Sequence, residues 1–324
     1  MHALLEASMA QLTLVRPKLE RSTLTRLGAW LFHFGLPWVF LLPTIIFFVG
    51  WAIYPIVRVA WFSLLDYKPI MASRPVTFIG LKNYVELLSD PVMKLGLARA
   101  AAFTALFLPG MIFIPMFLAV LVDRVTNSKV STFYRLVLLI PSMIPGPLIF
   151  VLWKWMYDGY IGPINYALVD VLHIFDIRTQ PQWLSNDLVI PSIAVMEWWW
   201  GLGYHTMFFL AGLATVPRDL FDAARTDGAN EWQMFWTVTF WRLLPVTLVL
   251  VVLRFGTAMA VIDEYLIMGG FQRDRPTYTW TVYMWDTAFQ GAQDRGYGSA
   301  IGWVGTIVML AVVGLLFWLF RSRD

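Results

Sequence analysis

The sequence predicts an all-α, polytopic membrane protein with about six transmembrane helices, and three observations predict it. Of 324 residues, 59% are hydrophobic and only 14% charged, where a soluble domain carries about a quarter charged residues. Apolar runs near 31–64, 95–122, 133–156, 188–216, 243–268 and 300–320 reach the roughly 20 residues a helix needs to cross a bilayer. None of them alternates apolar with polar over about ten residues as a barrel strand does, so their backbone groups must bond within helices.

Taken in chain order, residues 1–30 are polar or weakly amphipathic and read as a cytoplasmic N-terminal segment. The first apolar run is too long and too bulky for a cleaved signal, so it reads as a true span. It exceeds the length one crossing needs and must project or tilt. Residues 31–324 form one transmembrane domain, because the segments 65–94, 157–187 and 269–299 each fall short of the roughly 50 residues of an independent domain. Basic residues orient it. With the N-terminus inside, Arg16, Lys18, Arg21, Arg26, Arg124, Lys129, Arg135, Arg218, Arg225, Arg242, Arg321 and Arg323 lie on the cytoplasmic side.

Composition also removes function classes. Zero cysteines exclude a disulfide framework, a thiol nucleophile and a thiolate metal site. A net charge of +3 is too small and scattered for nucleic-acid binding. His2, His33, His173 and His205 are dispersed without acidic partners at metal-ligand or catalytic spacing, so no catalytic residue and no metal site is assigned.

Between the fourth and fifth runs, Pro217 to Leu243 differs from a plain tether. Asp219 or Asp222 can cap a helix through Asp227, Gly228 stops it, and Ala229 to Phe240 restarts with helical spacing of apolar residues. This predicts two short helices about a bend. Trp232, Phe235, Trp236 and Phe240 give the second an aromatic face. That face fits either a helix resting on the membrane surface or a docking element for a partner, and periodicity does not separate the two.

The segment DAARTDGANEWQMFWTVTFWRLLP resembles the cytoplasmic signature of permease subunits of binding-protein-dependent ABC importers: Glu-Ala-Ala, three residues, Gly, nine residues, then Ile-x-Leu-Pro. Asp222, Ala223, Ala224 and Gly228 match, with Asp for Glu, and Val238, Thr239 and Phe240 follow at the right distance. Trp241 stands where the family has proline, while Pro245 matches a second proline common in the carbohydrate branch. FLLPTIIFFVGWAIYPIVRVAWFSLLDY, FYRLVLLIPSMIPGPLIFVLWKWMYDGYIGPIN, LAGLATVPRDLFDAARTDGA and TAFQGAQDRGYGSAIG resemble further parts of the maltose-type sugar permeases, in order and over nearly the whole chain.

The resemblance implies a type I ABC importer permease in a bacterial or archaeal plasma membrane, moving a carbohydrate, an oligosaccharide. It implies three partners besides membrane lipid: a second homologous permease, a cytoplasmic ATPase dimer and an extracytoplasmic solute-binding protein. ATP and Mg would belong to the ATPase, since no G-x-x-x-x-G-K-[ST] motif is present here. Asp222, Ala223, Ala224, Asp227 and Gly228 would couple the permease to that ATPase. An anionic cargo, a uronate oligosaccharide or a glycerol phosphate, is the alternative suggested by Arg58, Arg273 and Arg275. A channel or secondary transporter would need neither ATP nor the docking loop.

Ionisable residues within spans point to function. Glu197, Arg254 and Asp263 are candidates for the translocation path, with Trp199 as an aromatic platform and Pro145 where Pro141, Pro145 and Pro147 should break the third span. Arg254 needs a partner, and Glu197 suits it better than Asp263, which falls on the opposite side of a continuous helix. Trp198, Trp199 and Trp200 fit a sugar platform or plain packing. Gly201 and Gly203 would loosen the helix there, and Arg58 and Arg99 would snorkel to head groups. Ser142 and Asn165 offer hydrogen bonds without a spacing that selects them.

Overall fold

A computed structural model of the chain describes residues 32, 36–71, 75–291 and 293–321. The N-terminal segment 1–30 lies outside the described residues. The chain divides into two compact units, Met1–Val59 and Ala60–Asp324. In the first, α1 (Leu36–Phe48) runs through a π-helical turn, Val49–Ile53, into α2 (Tyr54–Phe62), whose last three residues belong to the second. Its large apolar side chains are exposed, Trp51 at 75%, which suits a helix surrounded by hydrocarbon.

In the second unit, a two-residue ribbon, β1 (Leu65–Asp66) antiparallel to β2 (Thr77–Phe78), precedes α3 (Lys82–Ser89) and the long α4 (Pro91–Asp123). Asp90 starts α4 by accepting Val92 N–H at 2.7 Å, and Pro91 occupies the first turn, where its missing donor costs nothing. Next come α5 (Ser128–Leu139), begun by the Asn127 side chain, and α6 (Gly146–Met156). A 3₁₀ turn at Pro141–Met143 separates them. The prolines thus break the third span, as the sequence predicts, into two helices.

The remaining elements are α7 (Pro163–Tyr166), α8 (Val189–Leu213), α9 (Asp219–Thr226), α10 (Glu231–Met234), α11 (Phe240–Met259), α12 (Trp280–Phe289) and α13 (Arg295–Arg321). Among the described residues, Trp38–Phe62, Pro91–Asp123, Glu231–Met259 and Arg295–Trp318 are continuous helices long and apolar enough to cross a membrane. Of the other two predicted runs, one is the broken α5–α6 pair and the other is the unbroken α8, diluted by Glu197 and its glycines. The chain is a multi-pass, all-α membrane protein.

The core forms where α8 and α11 pack on α4 and α12 packs on α13. Lipid tails are as apolar as leucine, so helices in a membrane associate through close approach rather than the hydrophobic effect. Gly203 shows this: a Cβ there would lie 2.0 Å from the Leu138 carbonyl oxygen of α5. Its neighbour Gly201 would meet the Met111 methyl at 2.7 Å. These two glycines therefore do not loosen α8, which runs without interruption; they admit its neighbours.

The connecting segments 65–94, 157–187 and 269–299 are tied together. Asp90 Oδ2 accepts from Tyr283 and Tyr297 hydroxyls at 2.6 and 2.9 Å, and Lys68 pairs with Asp294 at 3.0 Å. Arg99 donates to the carbonyls of Arg273 and Tyr278, both at 3.1 Å, so it fastens α4 to a loop instead of snorkelling. Arg275 is likewise occupied by the Gly269 and Leu184 carbonyls at 2.7 and 2.8 Å. Asn165 bonds the Gly159 and Pro181 carbonyls and accepts from the Trp183 indole.

Candidate functional site

Two places gather the residues singled out from sequence. The first is a cavity of about 410 Å³ within the helices. One wall is the stripe Glu197, Trp200, Gly201 and Tyr204 of α8, and the facing wall is Leu250, Leu253, Arg254 and Thr257 of α11. Both read i, i+3, i+4, i+7, the spacing that puts side chains on one face of a helix. Ser142, in the break between α5 and α6, also lines it. A larger groove of about 760 Å³ between α11 and α13 is lined by apolar side chains such as Leu248, Val252 and Phe317. Among its lining side chains only the Trp318 indole can bond a polar solute, so the smaller cavity is the better site.

Arg254 does not ion-pair with Glu197; among the described residues no carboxylate lies within 4.0 Å of its guanidinium. Its Nε donates instead to His205 Nε2 at 2.8 Å, and the guanidinium sits 5.8 Å from the Tyr204 ring centroid. An Nε2 that accepts has its lone pair there, so the imidazole proton is on Nδ1, which donates to the Gly201 carbonyl at 2.6 Å. His205 is fully buried and makes two directed bonds, which fix the Arg254 side chain. Glu197 is 8% exposed, and its Oε1 has no hydrogen-bond partner.

Asp263 stands apart. Helix α11 ends at Met259, and Ala260 leaves helical geometry, so Arg254 and Asp263 do not share a helix. Asp263 is exposed and does not line the cavity. Trp199 is 38% exposed and packs on Trp153 with ring centroids 5.5 Å apart, outside the cavity wall. The indole N–H groups of its neighbours are taken up by the backbone: Trp198 donates to the Phe107 carbonyl at 2.9 Å, and Trp200, which also lines the cavity, to the Ile144 carbonyl at 3.1 Å. The latter satisfies a carbonyl at the proline break beside Pro145, which caps α6.

The second place is the loop between α8 and α11. Helix α9 carries Asp222, Ala223 and Ala224, and Asp227 is its C-cap. Gly228, at φ +81°, reverses the chain, with Gly228 N–H bonded to Arg225 O at 3.0 Å and Ala229 N–H to Ala224 O at 2.9 Å. This pair of bonds closes the helix end in a form that favours glycine. Neither Asp219 nor Asp222 caps α9 through a side-chain bond; both lie in its first turn, where the helix dipole favours acids. Asp222 is 70% exposed and holds Arg225 at 3.2 Å.

Nor is there a second short helix. Asn230 and Gln233 form a reciprocal capping box that starts α10, and the chain then passes through a π-helical turn, Phe235–Thr239, straight into α11. Trp241 sits inside this run and ends nothing. Of the predicted aromatic face, Phe235 and Phe240 turn onto α4, where Phe113 stacks on Phe240 at 6.2 Å and Phe117 meets Phe235 at 6.5 Å, while Trp232 stays 63% exposed. Sequence reasoning passed over Tyr204, Leu250, Leu253 and Thr257 and read His205 only as dispersed, although Tyr204 follows Glu197 by one heptad on the same stripe.

Comparison with known proteins fits this architecture. The chain is 29% identical to a probable ABC transporter permease protein, YurN, of Bacillus subtilis over 89% of this chain and 96% of that one. It is 27% identical to the sulfoquinovosyl glycerol transport system permease protein SmoG of Agrobacterium fabrum, over 84% and 86%. A crystal structure of a bacterial ABC transporter involved in the import of the acidic polysaccharide alginate superposes with a TM-score of 0.77 at 20% identity, covering 92% of this chain and 100% of that one. Residues 96–322 match the model of one family, and a chain with these helices and that match belongs to the binding-protein-dependent transport system inner membrane components.

Proposed function

We propose that this chain is the permease subunit of an ATP-driven importer that carries a carbohydrate, an oligosaccharide, into the cytoplasm by alternating access. The cavity between α8 and α11 carries this reading. Its lining combines the aromatic side chains of Trp200 and Tyr204 with the orphan acceptor of Glu197, the guanidinium of Arg254 and Ser142. Aromatic faces take the apolar side of a sugar ring, while groups that donate and accept take its hydroxyls. Relatives bearing saccharide cargo in their names support the same class.

In this reading the N-terminus is cytoplasmic, and α9 with Gly228 docks in a cleft of a separate ATPase dimer. ATP and Mg are held by that ATPase. An extracytoplasmic solute-binding protein delivers the cargo, and a second permease subunit supplies the other half of the path. Ala223, exposed and small, lets a partner approach closely, and Asp222 is free on its outer side to meet a basic group. A second reading, an acidic oligosaccharide, is favoured by Arg254, which among the described residues has no carboxylate at ion-pair distance.

The test is ATP hydrolysis by the reconstituted complex with its binding protein, across neutral oligosaccharides, uronate oligosaccharides, amino acids and metal ions. Stimulation by saccharides is expected; loss of uronate stimulation alone in Arg254→Gln selects the acidic reading. Stimulation by amino acids or metal ions instead contradicts both.

A further inference from the structure

We infer that the second half of the coupling loop is welded to α4, so that motion entering at α9 is delivered to α4 and α11 together. This inference rests on the reading of α9 as the ATPase-docking element. Three independent contacts make the weld. Phe113 of α4 stacks on Phe240 and lies 6.1 Å from the Trp236 ring. One turn along α4, Phe117 meets Phe235, which in turn stacks on Trp232 at 6.1 Å. At the end of α4, Arg124 pairs with Glu231 in the first turn of α10.

An exposed ion pair adds little stability, and both side chains here are about half exposed, 45% and 56%. Its use is directional: it fixes which residues of α10 face α4, while the aromatic rings supply the contact area. The π-helical turn Phe235–Thr239 lies under these rings. A π-turn adds a residue to the helix, and here it brings Phe235 and Phe240 onto the same side, toward α4. Past the turn, α11 carries Arg254 on one wall of the cavity, and α4 packs along α8, which carries Glu197 on the other. The weld is therefore the point where one displacement of the loop reaches both walls. Arg124, Phe113 and Phe117 are positioning residues that touch neither the cavity nor the exposed side of α9.

The test uses the full complex in proteoliposomes, measuring solute taken up per ATP hydrolysed. Because the chain has no cysteine, Asp219→Cys, at the exposed start of α9, reports docking by crosslinking to a cysteine placed in the ATPase. Arg124→Glu and the pair Phe113→Ala with Phe117→Ala should keep the crosslink and lower uptake per ATP at least threefold. The exchange Arg124→Glu with Glu231→Arg should recover most of the loss seen with Arg124→Glu. An unchanged ratio in variants that still crosslink overturns the weld. Absence of the crosslink in the otherwise native chain overturns the docking reading instead.

Discussion

Gly203 shows how a single residue sets the distance between two helices. Because a Cβ at that position would meet the Leu138 carbonyl oxygen, a backbone atom, at 2.0 Å, no side-chain rotation relieves the clash. Gly203→Ala should cost about 1–3 kcal/mol, read as a lower midpoint of thermal unfolding in detergent; an unchanged midpoint would contradict the α5–α8 contact. Asp90 makes a prediction about pH. Burial raises its carboxyl, but hydrogen bonds from Tyr283, Tyr297 and the Val92 N–H outweigh burial and hold it below the ordinary 3.8. A lowered folded value means the contribution is complete above 3.8 and is lost as pH falls through the lower folded value. Asp90→Asn should therefore flatten the acid limb of the stability profile, and a profile identical to that of the unchanged chain would refute the triad. Sequence reading reached Glu197 and Arg254 because charge within an apolar run is visible along the chain. It did not reach the Arg254–His205 bond, which joins side chains 49 residues apart and depends on how α8 and α11 face each other.

At the level of elements, local chemistry carries further. The break at Pro141–Met143, the stop at Gly228 and the long apolar helices are each dictated within a few residues, by a missing donor, a positive φ or lipid. The continuity of α10 with α11 is different. An Asn–Gln capping box marks the start at Asn230, but no local signal marks an end, and the π-turn keeps the helix going by trading hydrogen-bond register for contacts with α4. Periodicity counted from Trp232 to Phe240 suggests a short helix whose aromatic face meets the membrane surface or a partner, because such a face looks the same in sequence whether it meets lipid, a partner or a neighbouring span. The same ambiguity held for Trp198, Trp199 and Trp200. Here two of three indoles turn out to satisfy backbone carbonyls, and only the contact partner decides that.

For the whole molecule, the fold and the family were legible from composition and from the order of short matches, because a bilayer leaves so few options for a backbone. What remained hidden is the route between the loop and the cavity, since it runs through contacts among α4, α8 and α11 that no stretch of sequence contains. In the proposed function, ATP-driven motion enters this protein at α9 and Gly228 and changes the cavity between Glu197 and Arg254. The measurement that tests it most directly is solute uptake into proteoliposomes by the assembled complex carrying Asp222→Arg or Gly228→Pro. Uptake abolished in both, with the isolated ATPase still hydrolysing ATP, is the predicted result. Uptake at the unmodified rate in both variants would contradict it.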